Sequence, residues 1–150
     1  MNNSTRRVAF TFAVVCGCLL TLVAAAVAAD PEWPPQVVLA GFDAYNVEGA
    51  EAAVKAWLKD GPHEGSKEAM GQANIFRQIE SLYGKYKGHE TLHTKNIGSS
   101  TKVVYEAINF ERGAAFSRFL LYKVPDKGWA TSNMIFNTAP QAVLPKSQIE

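Results

Sequence analysis

The feature that most constrains this chain is its change of residue period at Gly88. After it come four runs, His89 to Ile97, Lys102 to Phe110, Ala114 to Val124 and Trp129 to Asn137. All four are rich in Thr, Val, Ile, Tyr and Phe, residues that suit a pleated, half-buried surface. They are joined by Gly98-Ser99-Ser100, Glu111-Arg112-Gly113 and Pro125-Asp126-Lys127-Gly128, each only long enough for a turn. A parallel crossover needs about a dozen residues or more, so strands adjacent in sequence must lie antiparallel and adjacent in space. The second half of the chain is therefore predicted to be a four-stranded meander.

The preceding segment has the other period. Val47, Ala50, Val54, Trp57 and Leu58 recur at helical spacing and predict a helix over Val47 to Lys59, with Asn46 as its cap and Asp60-Gly61-Pro62 as its stop. A second helix is expected from Ser66 or Lys67 to Tyr83. Its apolar face would be Met70, Ala73, Phe76, Ile79, Leu82 and Tyr83, with Lys67, Gln72, Gln78 and Ser81 toward water. Gly71 costs this helix roughly 1 kcal/mol relative to Ala, which either a close crossing of the two helices or a later start of the helix would explain. Each helix has one apolar stripe and needs a partner, so the expected fold class is α+β, with two N-terminal helices packed on the meander. In the third strand Phe116, Leu120 and Tyr122 alternate with Ser117, Phe119 and Leu121, placing large apolar groups on both faces. The expectation is thus a curved sheet, a cone or roll around a small cavity, or else an outer face covered by a second subunit.

The N-terminus has the order of a secretory signal. Arg6 and Arg7 precede an apolar run from Val8 to Ala29 that ends in alanines, with cleavage expected before Asp30. The competing readings are a retained membrane span, since about 20 apolar residues suffice, and lipid attachment at Cys18. Cleavage divides the chain into a signal peptide (1–29), an extended proline-rich lead (30–45), an α+β domain (46–137) and a C-terminal tail (138–150) in which Ala142, Val143 and Leu144 cover part of an edge. The expected location is the periplasm or outside the cell, with no stable membrane insertion afterwards.

Processing also changes charge and redox chemistry. Both cysteines, Cys16 and Cys18, leave with the signal, so the remaining domain makes no disulfide. Fifteen basic residues less Arg6 and Arg7 leave thirteen against fourteen acidic ones, a net charge near −1. Such a balance offers no broad cationic field for phosphate backbones, and nucleic acid is not an expected partner.

Two helices followed by antiparallel hairpins, including Phe119-Leu120-Leu121-Tyr122-Lys123 and Gly128-Trp129, resemble the nuclear transport factor 2-like superfamily. That resemblance, carried by Asn46 to Tyr83 and His89 to Asn137, implies the cone-shaped α+β fold. It is similar also to small exported bacterial proteins of unassigned function, and a cystatin-like roll has a comparable element order. Superfamily members include isomerases, dehydratases, binding modules and structural dimers, so the fold alone selects no activity.

Candidate site residues follow from the strand rows. Glu106 lies among Val104, Ile108 and Phe110, and Arg118 between Phe116 and Leu120, so these charges would pair or bind a polar ligand if their rows faced a concave side. Tyr83, Tyr105 and Tyr122 offer pocket walls and hydroxyls, although aromatic rings are also ordinary core filling. His89 and His93 read as sharing one strand face about 13 Å apart, too far to hold one metal together. Phosphate-cradling glycines, a nucleophile elbow and calcium-loop spacing are absent from the sequence. No cofactor or metal is expected. Three functions compete: a noncatalytic exported domain binding an apolar small molecule or a partner protein, a cofactor-independent isomerase or lyase with Glu106 or Glu80 as base, and a structural homodimer. Whether the chain is an enzyme stays open at this point.

Overall fold

A computed structural model describes residues 34–150. The expected signal peptide and the start of the lead lie outside the described residues. The element order is α1 (Gln36–Glu48), α2 (Ala50–Leu58), α3 (Lys67–Tyr83), β1 (Tyr86–Asn96), β2 (Thr101–Phe110), β3 (Gly113–Val124) and β4 (Gly128–Asn137). Two short 3-10 turns, Pro140–Ala142 and Lys146–Gln148, follow in the tail.

Three helices form where two were expected. The lead from 36 onward is helical, because Pro35 starts the helix instead of preventing it: its carbonyl accepts from the Val38 amide at 2.9 Å, and a proline at a helix start lacks only an amide that would have been unpaired. Val47 consequently belongs to the end of α1 and is 81% exposed, while Ala50, Val54, Trp57 and Leu58 of α2 are buried as their spacing predicts. The break between α1 and α2 is Gly49, whose φ of +87° suits a residue without a Cβ, and no side chain caps α2. α3 has the expected span. Its cap is Ser66, whose Oγ accepts from the Ala69 amide at 3.2 Å.

The strands pair in the order β1-β2-β3-β4, all antiparallel, as the short connectors require. The expected cone or roll is not formed. β1 and β4 are the two edges and do not pair with each other, so the sheet is open. β2 and β3 run together for ten consecutive pairs without a shift. Four strands paired in this way are too few to close on themselves, and the large outward groups of β3 lie on the face away from the helices. Phe116 and Leu120 are half-buried and Tyr122 is exposed.

All three helices cover one face of this sheet. The core between them is aromatic, centred on Trp57, whose ring lies 5.0 Å from Phe42, 5.6 Å from Phe76, 5.3 Å from Phe119 and 5.5 Å from Phe136. Trp57 can occupy that position because its indole N–H, which would otherwise be a buried unpaired donor, donates to the Val38 carbonyl at 2.9 Å. Gly41 allows the ring in, since a Cβ there would overlap the indole. Val103, Ala107, Ala130 and the tail's Val143 are also buried but lie outside this cluster.

Candidate functional site

Register decides which of the expected site residues meet. Directly paired residues on antiparallel strands share a face. Tyr105 pairs with Arg118, whereas Glu106 pairs with Ser117, so Glu106 and Arg118 point to opposite sides of the sheet and form no ion pair. Tyr105, Arg118 and Tyr122 share the outer face. Glu106 is on the helix side. Tyr83 is elsewhere again, at the end of α3, packed over Gly113 so closely that a Cβ there would stand 3.1 Å from its ring. The five residues are therefore distributed over three places.

The two histidines are also separated. A bulge between Thr91 and His93 shifts the β1 register by one residue, so His89 pairs with Ile108 on the helix side and His93 with Tyr105 on the outer side. His89 lies flat on Phe42 at 3.8 Å between ring centres, and its Nδ1 is 2.9 Å from the Tyr86 hydroxyl. Burial holds its pKa below the usual imidazole value, against the opposing pull of Asp43. No cluster of potential metal ligands occurs among the described residues.

Glu106 is 0% exposed. One carboxyl oxygen, Oε1, accepts from Thr91 Oγ1 at 2.7 Å, while Oε2 is buried without a partner, as is the Oγ of Ser117 across the ladder. Burial pushes the carboxyl up to about 7, and the Thr91 hydroxyl pulls it partly back. The nearby phenol of Tyr86 is raised to about 12, chiefly by burial and next by the Glu106 charge. Tyr45 is raised as well, by burial first and then by Glu80.

A concavity lies away from all of these. It is a groove of about 390 Å³ between α2 and α3, floored by Val54, Leu58, Ala69 and Ala73 and walled by Met70. Met70 is 69% exposed there, although its spacing put it on the buried stripe. Lys55, Glu64 and the pair Glu51–Arg77 form the rim; the Arg77 and Glu51 side chains approach to 3.1 Å across the helices. A smaller groove of about 170 Å³ continues past the shared Leu58 and Ala69 to His63, Glu68 and Met134. Sequence patterning could not locate this groove, because it depends on how far apart the two helices stand. The one available signal was an excess of apolar residues on α3 over what a single buried stripe needs.

No family model matches the chain, and comparison with curated proteins and with solved structures finds no match. The architecture is an α+β fold with helices packed against a four-stranded antiparallel sheet. No helix among the described residues is long and apolar enough to cross a membrane.

Proposed function

We propose that this chain is an exported, noncatalytic domain that binds an apolar or amphipathic small molecule in the groove between α2 and α3. The observation that carries this reading is the combination of an apolar floor, a solvent-facing Met70 and a volume of about 390 Å³, which lies within the range of small-ligand sites. A flexible thioether at the wall suits a ligand of irregular shape. Export rests on Arg6, Arg7 and the apolar run that follows them. The noncatalytic part is supported by Glu106: a general base must reach a proton on its substrate directly or through one water, and this carboxylate has no exposed surface and lines neither groove. Helices followed by an antiparallel meander support the likeness in element order to the nuclear transport factor 2-like superfamily, without its cone.

A fluorescence titration with anilinonaphthalene sulfonate, an amphipathic aromatic anion, tests the reading. Saturable binding at one site is expected in the native protein, with loss of binding in Met70→Glu and no change in Tyr122→Ser. Equal binding by Met70→Glu would overturn it.

A second reading, a homodimer, is favoured by the outer sheet face, where Phe116, Leu120 and Ile135 are half-buried and Tyr122 is 47% exposed. Sedimentation equilibrium distinguishes it, since a dimer held through this face would dissociate in Tyr122→Ser.

A further inference from the structure

A carboxylic acid enclosed between helices and sheet, with no cation paired to it among the described residues, calls for a physical reason. Glu106 sits on the helix side of β2, flanked by Val104 and Ile108, with Thr91 donating to Oε1 and nothing bonded to Oε2. Ser117 stands directly opposite on β3, its buried hydroxyl also without a partner. Ionised, the carboxyl can only accept, so Oε2 gains a partner there only when the Ser117 hydroxyl turns its proton toward it. A neutral carboxyl adds a donor of its own, which Ser117 Oγ can accept, and it removes a buried charge that no described residue neutralises.

We propose that Glu106 is a protonation switch on the helix side of the sheet: neutral, it bridges β1 and β2 to β3 through Thr91 and Ser117, and ionised, it draws water between the helices and the sheet. The surrounding charged and titratable groups leave the switch to Glu106. On β1, Tyr86 and His89 are engaged with each other, and Thr94 offers a second unpartnered hydroxyl. α1 contributes Asp43, which acts electrostatically on Tyr86 and His89, and Tyr45, which stacks edge-on against Tyr86 at 4.5 Å. Lys102 is on the same face of β2, farther along, with its ammonium 4.8 Å over the Trp129 ring. On β3 the facing group is Ser117 itself.

The sign follows from which form the fold prefers. Burial raises the folded carboxyl to about 7 from 4.5, so the folded state holds the proton more tightly than the unfolded chain. Stability from this group is complete below the unfolded value and is lost as pH rises through the folded one. His89, depressed by burial, contributes the opposite slope at its own, lower titration.

The test compares the purified protein with its Glu106→Gln variant, which keeps shape and neutrality, so that the His89 contribution cancels. Between pH 5 and pH 8 the folding equilibrium constant of the native protein is expected to fall on the order of 100-fold relative to Glu106→Gln. Parallel pH profiles for the two proteins would overturn the proposal. If Glu106→Gln does not fold, the carbon-13 titration of the Glu106 carboxyl in the native protein decides. A midpoint near 7 supports the switch, and one near 4.5 refutes it.

Discussion

Trp57 on α2 donates its indole N–H to the carbonyl oxygen of Val38 on α1 across 2.9 Å, and both residues are fully buried. Because the same ring touches Phe76 of α3 and both Phe119 and Phe136 of the sheet, it ties all three helices to one face. Trp57→Phe removes the hydrogen bond and part of the ring, and is expected to cost about 2–3 kcal/mol. Gly41→Ala is expected to cost at least as much as an overpacked core position, about 1–3 kcal/mol, since its methyl would overlap the indole. Urea unfolding of both variants checks these values.

Gly71 gives a prediction of opposite sign. It lies in the interior of α3, and a Cβ added there meets nothing within 4 Å, so no close helix crossing requires it. Gly71→Ala is expected to stabilise the protein by about 0.5–1 kcal/mol through helix propensity alone. A shift in the thermal midpoint measures it.

These cases show which parts of the fold local sequence could carry. The four strands and α3 were legible because turn lengths and residue period are local properties. α1 was not, since Val37-Val38-Leu39-Ala40 is apolar on every side and presents no single stripe, and Pro34-Pro35 reads equally well as an extended lead. The candidate site was less legible still. Which residues share a face depends on register, and the bulge at Thr91–His93 reverses parity along β1. The pairing of Tyr105 with Arg118, in place of Glu106, follows from a turn of two residues, Glu111-Arg112, where the sequence suggested three: Gly113 already belongs to β3 and pairs with Phe110, which moves the register by one. Sheet curvature was inferred from the two apolar faces of β3, yet an open sheet can also leave one such face partly exposed.

The Glu106 environment carries its own prediction. Thr91 donates to the carboxyl and so favours its charged form. Thr91→Val should therefore move the Glu106 titration further upward from about 7, extending the acidic stability window to higher pH. The full shift from 4.5 to about 7 corresponds to about 3 kcal/mol lost on ionisation. Carboxyl-detected NMR on Thr91→Val reads the direction; a downward move would contradict the assigned role of the Thr91 hydroxyl.

Occupancy of the helix groove is the central claim, and amide chemical-shift mapping during titration with anilinonaphthalene sulfonate tests it most directly. Saturable shifts confined to α2 and α3 are expected, strongest around Val54, Leu58, Met70 and Ala73, which form the groove's floor and wall. Shifts centred instead on Phe116, Leu120 and Tyr122 of β3, or no saturable shifts at all, would contradict it.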